Sequence, residues 1–93
     1  HIERVDGCDL LASYEAVWRA VQYARERKGP ALVHAKVIRP YSHSLSDDEV
    51  NYKPAEEREA EAARDPIVTF PKWLVAEGHA TQAEVDAIAK EVE

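Results

Sequence analysis

"PALVHAKVI", residues 30–38, is the stretch on which the fold turns. It is short, nearly all apolar, and opened by a proline. Its length suits a strand better than a helix, and its near-continuous apolar character is that of a strand buried on both faces. Upstream, Gly29-Pro30 stops a run in which Leu10, Tyr14, Val17, Trp18, Val21 and Ala24 recur at steps of three and four. That spacing predicts an amphipathic helix, with Asp9 as its N-cap and Lys28 near its end. Further upstream, "HIERV" (residues 1–5) reads as a strand closed by the turn Asp6-Gly7. Strand, helix and strand within 38 residues predict a βαβ unit with parallel strands and a right-handed crossover. Parallel strands end on the same edge of a sheet. In open α/β sheets that carboxyl edge is where ligands bind.

Downstream, "RPYSHSLSDDEVNYKP" (residues 39–54) has no hydrophobic period and is bounded by Pro40 and Pro54. It reads as a long loop leaving the carboxyl edge. Three helices are expected after it: "AEEREAEAAR", with Pro54 as a candidate first residue and Asp65-Pro66 as its stop; "IVTFPKWLVAEG", interrupted by Pro71 and ended by Gly78; and "QAEVDAIAKEVE". Thr81 and Glu84 have the spacing of a capping box for the last of these. Three segments follow from this reading: residues 1–38, 39–54 and 55–93.

The 93 residues suffice for one small domain or part of a larger one. Hydrophobic residues at 45% and charged residues at 32% are ordinary globular proportions, not those of a disordered chain. The formal charge of −6 is uneven. Residues 1–40 hold seven Lys/Arg and five Asp/Glu; residues 41–93 hold five and thirteen. The acidic second half argues against nucleic acid as a partner. The single cysteine, Cys8, excludes an intrachain disulfide and a zinc site built on cysteine pairs. Cys8 itself reads as a small buried hydrophobe, and Trp18 and Trp73 as core residues. No apolar run approaches the ~18 residues of a membrane span, and none has the form of a signal peptide. The absence of a starting Met and the strand-like beginning suggest a fragment or a processed product.

The loop concentrates the residues with chemical potential. His43 has two readings: a partly exposed turn histidine, or an imidazole beside an anionic ligand at the sheet edge, able to hydrogen-bond a phosphate or pass a proton. Arg39 is suited to a bidentate contact with phosphate or carboxylate, and equally to an ion pair with Asp47 or Asp48. Ser44, Ser46, Asp47 and Asp48 suit turns that shape the loop. Ser44 also suits phosphorylation, whose added charge beside Asp47 and Asp48 would disorder the loop. A divalent cation on the two aspartates ranks last, because no further ligands lie nearby in sequence. No P-loop, GxGxxG, GxSxG or HExxH is present. A second class of reading, a non-catalytic module whose acidic helices dock a partner, also stands at this level.

Several pieces together resemble one family: "VDGCD" leading into "LLASYEAVWRAVQYARERKGPALVHAKVIR", then "YSHSLSDDEVNYK", "ARDPI" and "WLVAEG". They are similar to the C-terminal part of the alpha subunit of the thiamine-diphosphate-dependent first component of 2-oxoacid dehydrogenase complexes, or to the alpha half of fused alpha–beta chains. The resemblance covers nearly the whole chain, and "SHSLSDD" followed by Tyr-Lys is its most specific part. It implies a thiamine-diphosphate-binding parallel sheet. It implies an enzyme that decarboxylates a 2-oxoacid and reductively acylates a lipoyl domain of the acyltransferase component. It implies a beta subunit or a fused beta half as partner, in an assembly of two alpha and two beta chains or a fused homodimer. By motif position, His43 matches the histidine that contacts the cofactor's diphosphate and assists acyl transfer. Arg39 matches the loop arginine, and Ser44 the regulatory serine of mitochondrial enzymes. Asp47, Tyr52 and Lys53 match the loop-ordering residues. The ligands of the Mg²⁺ that carries the diphosphate belong to a G-D-G…N motif expected upstream of His1. The activating glutamate is expected on the beta partner. Ser42 stands where glycine is common, Pro40 where an aromatic is usual, and Asn51 where mitochondrial forms carry a second serine. These departures favour a bacterial, cytoplasmic, unphosphorylated enzyme; a eukaryotic one is expected in the mitochondrial matrix. The wording of "IRPYSHSLSDDE" favours the branched-chain substrate 3-methyl-2-oxobutanoate, with pyruvate and acetoin open.

Overall fold

A computed structural model describes residues 1–42, 44, 46 and 48–92. Its elements are β1 (Ile2–Asp6), α1 (Leu10–Arg25), β2 (Leu32–Lys36), a single 3₁₀ turn (Glu49–Asn51), α2 (Ala55–Ala62), α3 (Pro66–Ala76) and α4 (Gln82–Val92). The two strands pair in parallel, from Ile2 against Leu32 to Asp6 against Lys36. The βαβ unit, the long connection and the three helices are those expected of an α/β chain.

Register delivers both strand ends to one place. The Gly7 N–H donates to the Lys36 carbonyl at 2.8 Å, so the chain leaving β1 and the chain leaving β2 stay side by side for one more residue. Only glycine fits there. A Cβ on residue 7 would lie 2.5 Å from Val37 Cγ1, 3.1 Å from Ala35 Cβ and 3.3 Å from the Lys36 carbonyl oxygen.

Local chemistry sets the helix ends. The Asp9 carboxylate accepts from Ala12 N–H at 2.9 Å and caps α1. The far end of α1 closes earlier than Gly29-Pro30 suggested. Arg27 takes a left-handed φ of +56°, its N–H donates to Ala24, and Lys28 N–H donates to Tyr23. This is the Schellman arrangement with an arginine where glycine is usual. α3 ends in the same arrangement around Gly78 (φ +75°). Asp65 caps α3 through Ile67 N–H, and Pro66 is its first residue. Contrary to expectation, α3 continues through Pro71. A proline there removes one helical hydrogen bond, and the rest of the ladder carries the helix past it. Pro54 precedes α2 as its N-cap and is not its first helical residue. The capping box of α4 is present: Thr81 N–H donates to Glu84 Oε2 at 2.8 Å, and Glu84 N–H to Thr81 Oγ1 at 3.3 Å.

The packing corrects two expectations. α1 lies on one face of the sheet through small residues: Ala16 is 1% exposed and Ala20 7%, and among the described residues only these two apolar side chains are buried. The large apolar stripe (Leu10, Tyr14, Val17, Trp18, Val21) points away from the sheet and is exposed. Periodicity identified the helix but not which face meets the strands. Trp18 is therefore not core in this chain, at 55% exposure, and Trp73 is half-buried, stacked on Phe70. β2 is likewise covered on one face only, leaving Leu32 open beside Ile2.

The chain exposes 7658 Å² and has a radius of gyration of 17.0 Å. A compact monomer of this mass would expose roughly 5,400 Å², and a domain of this length would have a radius of gyration of roughly 12 Å. No helix among the described residues is long and apolar enough to cross a membrane. Tight packing is confined to β1, β2 and α1.

Two predictions follow from this packing. The 93-residue chain alone is expected to show helical far-UV circular dichroism but no cooperative thermal transition; a sharp calorimetric peak of about 60–70 kcal/mol would contradict it. In the full-length protein, Gly7→Ala is expected to destabilise by about 1–3 kcal/mol, with Val37→Ala in the same chain recovering most of the loss. A melting temperature that Val37→Ala leaves unrepaired would place the conflict elsewhere.

Candidate functional site

The carboxyl edge of the sheet is built from Asp6, Gly7 and Cys8 after β1 and from Val37 to Arg39 after β2. The Asp6 side chain accepts from Cys8 N–H at 3.0 Å and from a single nitrogen of the Arg64 guanidinium, Nη2, which lies 2.9 Å from Oδ1 and 2.8 Å from Oδ2. The Asp6 carbonyl accepts from Asp9 N–H at 3.1 Å and Ser13 Oγ at 3.3 Å. The edge residue thus holds the start of α1 and the end of α2 together. The Cys8 N–H, and after it the Arg64 guanidinium, lower the Asp6 pKa from its ordinary 3.8. A depressed carboxylate contributes stability above its unfolded pKa and loses it as pH falls through the folded value. The pair is therefore charged at neutral pH and fails only in acid.

The described residues between 39 and 54 join the end of β2 to the start of α2. Arg39 is exposed, three residues past the end of β2. Ser42 Oγ accepts from Glu49 N–H at 3.2 Å and joins the two arms of the loop. The Ser44 and Ser46 hydroxyls meet at 3.0 Å. Asp48 caps the 3₁₀ turn by accepting from Val50 N–H at 3.1 Å. Tyr52 closes that turn through its N–H to Glu49 and exposes its ring. Lys53, half-buried, pairs with Glu61 at 2.5 Å, and that hydrogen-bonded pair raises the lysine pKa above 10.5. His43 and Asp47 lie outside the described residues. Of the expected site residues, the structure puts Arg39, Ser44, Tyr52 and Lys53 on one loop rooted at the sheet edge.

Cys8 is half-buried and not a core residue. With Leu10 and Leu11 it lines an open cleft of about 260 Å³ against Thr69, Phe70 and Trp73 of α3. Sequence reasoning missed two ion pairs: Asp6–Arg64, and the bidentate Glu3–Arg19 pair at 3.1–3.2 Å, which fastens α1 to β1. A polar residue in the sheet-facing row of a strand was the available sign of the second.

Arg39, a cation, and the Ser44 and Ser46 hydroxyls lie on the same loop and are of the donor types that hydrogen-bond an anion. Among the described residues no three His, Cys, Asp or Glu side chains gather to hold a metal ion. Asp6 is engaged by Arg64, and Asp48 by the turn it caps.

A family model described as "Dehydrogenase E1 component" matches residues 2–93. The chain is 44% identical over 89 residues to the pyruvate dehydrogenase E1 component subunit alpha of Mycoplasma pneumoniae, covering 94% of this chain and 25% of the relative. It is 39% identical over 89 residues to a probable mitochondrial pyruvate dehydrogenase E1 component subunit alpha of Caenorhabditis elegans, covering 95% and 22%. It is 39% identical over 90 residues to the testis-specific mitochondrial form of Homo sapiens, covering 96% and 23%. The chain thus spans about a quarter of the length of these curated relatives. A match across both the βαβ unit and the loop rooted on it settles the family: the chain belongs to the dehydrogenase E1 components, the thiamine-diphosphate-dependent first components of 2-oxoacid dehydrogenases, and corresponds to part of the alpha subunit.

Proposed function

We propose that this chain is the loop-bearing part of the alpha subunit of a pyruvate dehydrogenase first component. Such an enzyme decarboxylates a 2-oxoacid and passes the acyl group to a lipoyl domain. The observation that carries the reading is the family match over residues 2–93 together with a donor-rich loop rooted at the carboxyl edge of a parallel pair of strands. The relatives described above are named for pyruvate, which favours pyruvate over the branched-chain substrate suggested by the loop wording.

Thiamine diphosphate, when bound, supplies the carbon nucleophile and the sink for the electrons released with carbon dioxide. The chain's own residues would bind and orient. Arg39 and Ser44 would hold the diphosphate by charge and hydrogen bonding. His43 would donate to the diphosphate and deliver a proton during acyl transfer. Asp47, Tyr52 and Lys53 would keep the loop in order, Lys53 through its pair with Glu61. The Mg²⁺ ligands and the activating glutamate would come from residues outside this chain, the latter from a beta subunit or fused beta half. Partners would be that beta part and a lipoyl domain, in an assembly of two alpha and two beta chains or a fused homodimer. The bacterial cytoplasm would be its location, or the mitochondrial matrix in a eukaryote. The large exposed apolar surface argues against the alternative, an autonomous acidic helical module.

The test is kinetic and uses the full-length assembled protein. kcat/KM for pyruvate is expected to exceed that for 3-methyl-2-oxobutanoate by about tenfold or more, the scale of a pocket that rejects extra methyl groups; the reverse order would restore the branched-chain reading. His43→Ala is expected to cut lipoyl acylation by about a hundredfold and decarboxylation with an artificial electron acceptor much less. Equal losses in the two assays would remove His43 from acyl transfer.

A further inference from the structure

The loop is fastened at both ends to the Asp6-Gly7 turn. Its beginning is held at Gly7, whose N–H takes the Lys36 carbonyl at 2.8 Å and whose missing side chain lets Val37 pass. Its end is held indirectly: Lys53 pairs with Glu61 near the end of α2, and three residues later Arg64 Nη2 donates to both carboxylate oxygens of Asp6, at 2.9 and 2.8 Å. We propose that Asp6 and Arg64 are positioning residues, a strap that sets the returning arm of the loop, Glu49–Lys53, relative to the sheet edge by fixing the end of α2 to the end of β1.

Three observations carry this. The pair spans 58 positions and joins segments outside the tightly packed βαβ unit to that unit. Arg64 Nη2 lies within 2.9 Å of both Asp6 oxygens, a charge-assisted contact that fixes the distance between the end of α2 and the end of β1. Both side chains are half-exposed, at 47% and 51%, so the pair adds little to stability, and its geometric effect is what distinguishes it. The inference rests on the reading of residues 39–54 as the cofactor loop, and the test separates the two.

Asp6→Asn, Arg64→Gln and the double variant are made in the full-length assembled protein. Asp6→Asn keeps an acceptor for the Cys8 N–H and removes the charge. Chymotryptic cleavage after Tyr41 and Tyr52 is timed without cofactor. Each single variant is expected to be cut about fivefold faster than the parent, as the open population rises. The double variant is expected to be cut no faster than either single, and Arg64→Lys to fall between parent and Arg64→Gln. The apparent KM for thiamine diphosphate should rise in the same order while kcat at saturating cofactor stays within about twofold. Unchanged cleavage in the singles, or a double variant that multiplies their effects, overturns the strap. Faster, non-additive cleavage with an unchanged KM keeps the strap and overturns the cofactor reading instead.

Discussion

Parallel pairing of β1 and β2 is the constraint on which the rest of the chain depends. An antiparallel pair would send Asp6 and Lys36 to opposite ends of the sheet. The parallel register instead makes them neighbours, so the chain that enters α1 and the chain that enters the loop start side by side. Everything with functional potential grows from that adjacency. The crossover helix makes the pairing possible, since parallel strands need a long connection. Ala16 and Ala20 let it sit close against the strands.

The two faces of α1 do different jobs. The alanine face packs on the sheet and is complete within the chain. The face with Leu10, Tyr14, Val17, Trp18 and Val21 is open, as is the side of the sheet bearing Ile2 and Leu32. Apolar surface on this scale is normally covered in a folded assembly. A chain that spans about a quarter of its relatives' length offers a ready explanation, because most of what would cover it lies elsewhere in such proteins.

Local chemistry was the legible part. Asp9, and Thr81 with Glu84, announced their helix starts because capping needs only neighbours in sequence, whereas Asp65, read as the stop of one helix, also caps the next. Gly78 announced a helix end because a left-handed residue is needed there. Arg27 did not, since nothing in its side chain favours that conformation. The βαβ order was readable from period and punctuation, and the loop from the absence of period. What failed were statements about facing. Periodicity groups Leu10, Tyr14 and Trp18 on one side without saying what lies opposite. Arg64 was invisible for another reason: no spacing rule joins it to a partner 58 positions away. The loop's general position at the carboxyl edge followed from topology alone, while the roles of Arg39, His43 and Ser44 came from resemblance.

The uneven packing also sets an order of opening. β1, α1 and β2 hold one another through backbone pairing, the alanine contacts and the Glu3–Arg19 pair. α2 reaches this unit through the Asp6–Arg64 charges, and α4 keeps its own first turn closed through Thr81 and Glu84. Side-chain links of this exposed kind break far more readily than a paired strand, so α2 and α4 are held less firmly than the βαβ unit. The strand ends that root the loop are thus the most firmly held part of the chain.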